Sequence, residues 1–164
     1  MKIGVVSDTH DDEGNVKKIV RIFKKENIEN VVHLGDYVAP PIVRLFKDFN
    51  LTGIFGNNDG YKYGLMQAFS EIRGTILGDF GKVAWDGLSF ALYHGEFREI
   101  SEALAKSGDY DVVLCGHFHK SEQTVFGNTL LLSPGSGHSY FKKDSSPTFG
   151  IFNTAEKIFE IIST

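Results

Sequence analysis

Short apolar runs and amphipathic stretches alternate along the first third of the chain. The apolar runs are rich in β-branched residues and show no polar alternation, which is typical of strands buried on both faces. They are Lys2–Ser7, Asn30–Leu34 and Leu51–Phe55. Between the first two runs, apolar residues recur at i, i+3, i+4 and i+7, and Pro40-Pro41 opens a second helix before the third run. The order βαβαβ predicts a parallel sheet with right-handed crossovers.

The rest of the chain predicts hairpins and shorter helices. Asp86-Gly87 is a tight-turn signal between two strands, and a second hairpin closes the chain. The predicted strands are Lys82–Trp85, Ser89–Tyr93, Asp111–Cys115, Thr129–Leu132, Thr148–Asn153 and Lys157–Ile162, and the predicted helices are Lys62–Arg73 and Glu99–Lys106. The whole pattern predicts an α/β layered domain in which antiparallel strands extend a partly parallel core.

Polar side chains with ligand chemistry follow the apolar runs, at the points where the predicted strands end. They are Asp8, His10, Asp36, Asn57, His94, His117 and His119. Ligands of open α/β sheets bind outside the carboxyl ends of the strands, so we expect these seven side chains to share one cleft. Glycine permits the close backbone approach that a crowded site needs, and it adjoins four of these motifs, as Gly35, Gly56, Gly95 and Gly116.

Seven oxygen and nitrogen donors exceed the roughly four to six positions around one metal ion. They suit two cations that share a carboxylate and clamp the attacking and leaving oxygens of a phosphoryl group. The absence of thiolate ligands argues against a structural zinc site and suits Mn²⁺, Ni²⁺, Co²⁺, Fe²⁺ or Zn²⁺. Among these ions, Mn²⁺ is the first choice. A metal lowers the pKa of its bound water, so hydroxide is the expected nucleophile. Ser7 and Ser133 adjoin motifs without an evident base and are interpreted as structural.

Composition limits the size, location and partners of the protein. Its 164 residues suit a single domain over 1–164, and a formal net charge of −4 argues against a general nucleic-acid surface. No leader peptide and no apolar run long enough to span a membrane is recognised, so the cytoplasm is the expected location. The single cysteine, Cys115, is expected to be buried and inert, and His33 to have a core or structural role. Fourteen phenylalanines leave an apolar homodimer patch as an option.

The chain resembles the calcineurin-like metallophosphoesterases, and among them the small single-domain phosphodiesterases of bacteria and archaea. The motifs that carry the resemblance are Asp8-Thr9-His10, Gly35-Asp36, Gly56-Asn57-Asn58-Asp59, His94-Gly95, Gly116-His117-Phe118-His119 and Pro134-Gly135-Ser136. The resemblance implies a four-layer α/β/β/α sandwich around two mixed β-sheets. It also implies that one metal is held by Asp8, His10, Asp36 and His119 and the other by Asp36, Asn57, His94 and His117, with Asp36 bridging.

Two positions depart from the family pattern. Many relatives have a histidine after the Gly-Asn pair, where it acts toward the leaving group, and this chain has Asn58. Relatives of this size often carry a second histidine two residues after the equivalent of His94, and here that residue is Glu96. The resemblance implies Asp36, Asn58 and His94 as catalytic residues. Asp59 is interpreted either as a contact of the catalytic layer or as an exposed turn carboxylate.

A metal-dependent phosphodiesterase acting on a small phosphodiester is the leading functional hypothesis. A diester carries one negative charge where a monoester carries up to two, and the motif loops offer few extra cations, namely Lys62, Arg98 and Lys120. Phosphomonoesterase or nuclease activity would use the same centre. The alternative from another class is a non-catalytic protein-binding scaffold, because a retromer subunit of eukaryotes resembles these enzymes. A scaffold has little need of all seven ligands.

Overall fold

The structure is a computed structural model that describes residues 1–140 and 146–164. Its strands are β1 (Lys2–Val6), β2 (Asn30–His33), β3 (Asn50–Gly53), β4 (Thr75–Ile76), β5 (Phe80–Trp85), β6 (Leu88–Tyr93), β7 (Val112–Leu114), β8 (Ser121–Phe126), β9 (Thr129–Pro134), β10 (Thr148–Asn153) and β11 (Ile158–Ser163). Its helices are α1 (Glu13–Lys25), α2 (Pro40–Arg44), α3 (Lys62–Glu71) and α4 (Arg98–Ser107). No helix in these described ranges is long and apolar enough to cross a bilayer.

The strands form two mixed sheets. The six-stranded sheet has the order β11-β10-β1-β2-β3-β4, in which β1 to β4 are parallel and β10 and β11 are antiparallel additions. The five-stranded sheet has the order β5-β6-β7-β9-β8, with β6, β7 and β9 parallel and an antiparallel strand at each edge. The predicted βαβαβ parallel core and its antiparallel extensions are therefore confirmed.

Three apolar clusters separate four layers. The first joins Phe23 of α1 and Phe69 of α3 to the outer face of the six-stranded sheet. The second lies between the sheets, where Val5 packs in the same cluster as Leu92. The third places Ala105 of α4 against the outer face of the five-stranded sheet. The α/β/β/α sandwich that the resemblance implied is confirmed.

Several boundaries differ from those that the sequence predicts. β8 was not predicted, because this edge strand is partly exposed and its sequence carries no apolar run. The helix that begins at Pro40 ends at Arg44, and Phe46 and Phe49 are nevertheless buried from the turns that follow it. Nine of the fourteen phenylalanines are buried, while Phe141 lies outside the described residues. Most of the phenylalanine content is therefore core, and a homodimer patch stays a prediction.

The close packing of α1 on β1 depends on the missing side chain of Gly4. A Cβ atom at this position would lie 2.7 Å from the ring of Phe23. We expect Gly4→Ala to lower the free energy of unfolding by about 1–3 kcal/mol, because the ring cannot move without disturbing its neighbours. Urea denaturation measures the change. Gly60→Ala is the control, since nothing lies within 4 Å of its added Cβ. Equal midpoints for the two variants would contradict this account.

Candidate metal centre

The carboxyl ends of five strands from both sheets meet at one cleft. The six-stranded sheet supplies the polar residues that follow β1, β2 and β3, and the five-stranded sheet supplies those that follow β6 and β7. The structure brings all seven predicted side chains together: Asp8, His10, Asp36, Asn57, His94, His117 and His119. Their placement outside the strand ends is the one that an open α/β sheet favours for a ligand.

Four of these side chains form a first donor group around Asp8. Nε2 of His119 lies 3.2 Å from Oδ1 of Asp8, and Nε2 of His10 lies 3.8 Å from the same oxygen. Nε2 of His10 is also 3.4 Å from Oδ2 of Asp36. Two imidazoles and two carboxylates thus face a common point.

The second donor group shares Asp36 with the first. Nε2 of His94 lies 3.5 Å from Oδ2 of Asp36 and 3.1 Å from Oδ1 of Asn57. The amide oxygen of Asn57 is also 2.9 Å from Nδ1 of His117. Oδ2 of Asp36 therefore faces both groups.

These separations fit transition-metal coordination. Two donors about 2.1 Å from one ion, at angles of about 90–120°, lie roughly 3.0–3.6 Å apart. Oδ1 of Asp8 is fully buried, and no described residue gives it a hydrogen bond of acceptable geometry. A buried carboxylate oxygen without a donor is costly unless a cation faces it. Two overlapping groups in the described ranges could hold an ion, His10, His119 and His138 in one and Asp8, His10 and Asp36 in the other.

Backbone strain is concentrated in the same turns. Eleven described residues other than glycine have positive φ, and five of them belong to the seven predicted site residues. These five are Asp8, His10, Asp36, His117 and His119. The left-handed region costs a residue with a Cβ roughly 1–3 kcal/mol, so such residues persist where the surroundings impose the conformation. Here the chain must turn sharply after each strand so that the side chains face the cleft.

Backbone hydrogen bonds between the motif loops impose that conformation. The N–H of Asp8 donates to the carbonyl of Gly35 at 3.0 Å, and the N–H groups of Thr9 and His10 donate to the carbonyl of Asp36. A Cβ at Gly35 would lie 2.4 Å from the backbone nitrogen of Gly56. This glycine therefore permits the close backbone approach of two loops at the site.

Asp8 is fixed from the other sheet as well. The N–H of His117 donates to Oδ2 of Asp8 at 3.0 Å, and the Ser7 hydroxyl donates to the same oxygen at 2.6 Å. A Cβ at Gly116 would lie 1.9 Å from Oγ of Ser7. Ser7 therefore orients a carboxylate, in agreement with the structural role predicted for it, and Oδ1 of Asp8 is left to face the cleft.

The charges of the cleft stabilise one another. Burial opposes ionisation of Asp8, but the nearby imidazoles of His10 and His119 hold its pKa well below the usual range. Burial likewise disfavours the charged form of His94, yet its contacts with Asp36 and Asp8 raise its pKa to about 9. Burial opposes ionisation of Asp36 too, and His94 lowers its pKa. The two carboxylates thus select positive charge at the cleft.

His33 has the structural role that its position predicted. It is fully buried, and burial lowers its pKa to about 3, so the ring is neutral near pH 7. Its Nδ1 accepts the N–H of Gly35, which leaves Nε2 as the donor to Oγ1 of Thr9 at 3.0 Å. The ring therefore ties the turn after β1 to the turn after β2.

Asp59 lies beneath the centre and is not an exposed turn carboxylate. Only 1% of its surface is exposed, and this burial raises the pKa of the carboxyl group. Its Oδ2 accepts the N–H groups of Asp36 and Gly56 at 2.8 and 2.7 Å, and its Oδ1 accepts that of Val38 at 2.9 Å. The side chain therefore fixes the backbone that presents Asp36 and Asn57.

The two positions that depart from the family pattern have different environments. The backbone N–H of Asn58 donates to Oδ1 of Asp36, and its side-chain amide donates to Oδ2, both at 2.8 Å. Asn58 therefore contacts the shared carboxylate directly. At the other position, Oε2 of Glu96 is buried without a hydrogen-bond partner in the described ranges.

His138 is a site residue that the sequence analysis missed. Its ring packs edge-on against the rings of His10 and His119, with centroids 4.6 and 4.8 Å away, and its Nε2 is 3.4 Å from Nδ1 of His119. Burial and the charges of the two neighbouring histidines lower its pKa to about 4. The signal that could have found it is its position in the loop after β9, at the same edge of the sheet as His119.

The Asp59 contacts predict a measurable loss of stability. Asp59→Ala leaves three backbone N–H groups without their acceptor, and we expect it to lower the free energy of unfolding by about 1–3 kcal/mol. Asp59→Asn keeps one acceptor oxygen and should lose less. Urea denaturation of the two variants beside the wild type checks both expectations. A wild-type midpoint for Asp59→Ala would show that these hydrogen bonds contribute little.

Comparison with known proteins agrees with this geometry. The model of the calcineurin-like phosphoesterase superfamily domain matches residues 1–157. Phosphodiesterase MJ0936 of Methanocaldococcus jannaschii is 37% identical over 165 residues, which cover 99% of this chain and 98% of the relative. A solved structure described as a novel archaeal phosphodiesterase has a TM-score of 0.93 at 36% identity, with both chains covered completely. A mutant Vps29 from Entamoeba histolytica shares the fold, with a TM-score of 0.72, 16% identity and coverage of 100% and 99%. The chain therefore belongs to the calcineurin-like phosphoesterase superfamily.

Proposed function

We propose that this protein hydrolyses small phosphodiesters with a dinuclear metal centre. The observation that carries the proposal is the position of Asp36, whose Oδ2 lies 3.4 Å from Nε2 of His10 and 3.5 Å from Nε2 of His94. One carboxylate oxygen between two donor groups suits two cations held side by side. The relative from Methanocaldococcus jannaschii, which is named a phosphodiesterase, supports the same reaction class.

The proposed ligands divide between the two donor groups. Asp8, His10, Asp36 and His119 hold one ion, and Asp36, Asn57, His94 and His117 hold the other. Mixed imidazole and carboxylate donors suit divalent transition metals, for which we propose Mn²⁺, with Ni²⁺, Co²⁺, Fe²⁺ or Zn²⁺ as alternatives. When bound, two such cations polarise a phosphoryl group and lower the pKa of water for its attack. Four positive charges against two carboxylates leave about +2, which attracts an anionic substrate.

The chain's own residues orient these donors. Nδ1 of His94 lies 2.6 Å from the carbonyl oxygen of Leu34, so Nδ1–H donates there and Nε2 is directed at the centre. Asn58 donates its side-chain amide to Oδ2 of Asp36 and lies at the exposed mouth of the cleft. In this position an amide donor can also reach an oxygen of the substrate.

The small number of unpaired cations near the centre favours a diester substrate over a monoester. Lys62 is paired with Asp79, and Arg98 is paired with Glu122 and Glu102. Of the three cations on the motif loops, Lys120 alone makes no ion pair with a described residue. A dianionic monoester would gain more from extra cations than a monoanionic diester does, so the diester is the better match.

The bridging role of Asp36 predicts a joint loss of metal and activity. Asp36→Asn removes one negative charge from between two cations. We expect turnover of bis(p-nitrophenyl) phosphate with Mn²⁺ to fall by about 100-fold or more, and binding of at least one ion to weaken. Steady-state kinetics and titration calorimetry measure the two effects.

Asp48→Asn provides the control for the loss of charge. It removes the same charge from an exposed carboxylate that pairs with Lys24 outside the cleft. Two tightly bound ions together with near wild-type turnover in Asp36→Asn would exclude Asp36 as the bridge.

Asn58 predicts how the rate depends on the leaving group. Asparagine cannot deliver a proton, whereas an imidazolium can, and general-acid help is typically worth about 10²–10⁴-fold. The wild-type rate should therefore fall steeply as the leaving group becomes more basic. Asn58→His should flatten this dependence by raising the rate on alkyl diesters more than on nitrophenyl diesters.

A linear free-energy plot of rate against leaving-group pKa measures that dependence. Circular dichroism and metal analysis confirm that both proteins are folded and loaded. Parallel lines for the wild type and Asn58→His would mean that position 58 takes no part in protonating the leaving group and acts only through Asp36.

A further inference from the structure

A large aromatic side chain stands exposed between two of the proposed metal ligands. Phe118 lies between His117 and His119, and 52% of its surface is accessible. Its ring meets that of His117 edge-on, with centroids 5.0 Å apart. Packing a ligand against this ring would remove apolar surface from water, which is favourable.

The backbone of the turn that carries Phe118 is held in place. The residues on both sides of it, His117 and His119, have φ values of 69° and 53°. The N–H of Phe118 donates to the carbonyl of Gly116 at 2.9 Å, and the N–H of His117 is bound by Asp8. A fixed turn presents the ring at a defined place beside the cleft, so ligand binding requires little ordering of the backbone.

A groove of about 860 Å³ begins at this ring. None of the seven proposed ligands lines the groove, but its wall includes Gly116, which packs against Ser7 and Asp8 and directly precedes His117. The volume lies within the range of pockets that bind small molecules. Lys120, Gln123 and Thr124 line the same groove and supply hydrogen-bonding groups beside the aromatic surface.

We propose that this groove binds a flat aromatic substituent of the phosphodiester, stacked on Phe118, and so makes Phe118 a specificity-determining residue. The proposal rests on the phosphodiesterase function proposed above. The phosphate lies at the metal centre, and one substituent extends over Gly116 onto the ring. A nucleobase and a plain aryl group share the flat face that stacks, while only a nucleobase also offers a polar edge to Lys120 and Gln123.

Direct binding tests the proposal without relying on turnover. Calorimetry with the Mn²⁺-loaded protein measures Kd for thymidine 5′-phosphate, phenyl phosphate and ethyl phosphate, three monoesters of equal charge. Stacking on an aromatic side chain is worth about 5- to 150-fold in affinity. Phe118→Leu should weaken one or both ring-bearing ligands by such a factor and ethyl phosphate by less than about twofold, while Phe118→Tyr should restore the lost affinity.

Phe80→Leu is the matched control, because Phe80 is also exposed but does not line the groove. A loss for thymidine 5′-phosphate alone identifies a nucleobase, a loss for phenyl phosphate alone identifies an aryl group, and a loss for both identifies any flat ring. Equal affinity of the wild type for all three ligands, or an equal loss for all three in Phe118→Leu, would overturn the proposal. The phosphodiesterase function is judged separately, by wild-type turnover of bis(p-nitrophenyl) phosphate.

Discussion

Two carboxylates buried a few ångströms apart are the constraint on which the rest of the structure depends. Asp8 and Asp36 are almost completely excluded from water, and removing a carboxylate from water costs several kcal/mol unless opposite charge compensates it. His94, whose pKa these carboxylates raise to about 9, supplies such charge, and the imidazoles of His10 and His119 also lie within 4 Å of one or both carboxylates. Divalent cations would meet the same need, and the donor spacing suits them. The site is therefore a cluster of negative charge for which the fold supplies positive partners.

The strained turns have their explanation in the same constraint. A strand that ends at the edge of a sheet directs its next side chains up or down, not into a cleft between two sheets. A left-handed φ at Asp8, Asp36 and His117 redirects these side chains into the cleft. The hydrogen bonds between the loops offset the conformational free energy of these strained residues. Asp59 stabilises the same turns by accepting three backbone N–H groups. This buried carboxylate therefore offsets part of the backbone strain without contacting a metal itself.

The sequence predicted what depends on local pattern and missed what depends on neighbours brought together by folding. Buried strands such as β1 are recognisable as continuous runs of apolar residues, and the polar site residues are those that come next in the chain. β8 has no apolar run because it is an edge strand, so periodicity could not reveal it. The burial of Asp59 is set by backbone groups of two other loops, and His138 enters the cleft only because its loop follows β9. Family resemblance supplied the four layers, which the pattern alone left as an α/β domain with a mixed core.

The proposed ligand sets connect the metal centre to the packing of the whole molecule. In each set, the donors come from both sheets. In the first set, the six-stranded sheet supplies Asp8, His10 and Asp36, and the five-stranded sheet supplies His119. In the second set, the six-stranded sheet supplies Asp36 and Asn57, and the five-stranded sheet supplies His94 and His117. The apolar cluster between the sheets holds them together by non-directional burial, which tolerates small sliding movements. Coordination bonds are directional and tolerate much less. Each ion would therefore fix the register of one sheet on the other at the edge where we propose that the substrate binds. Metal binding and the geometry of catalysis would then be set by the same contacts.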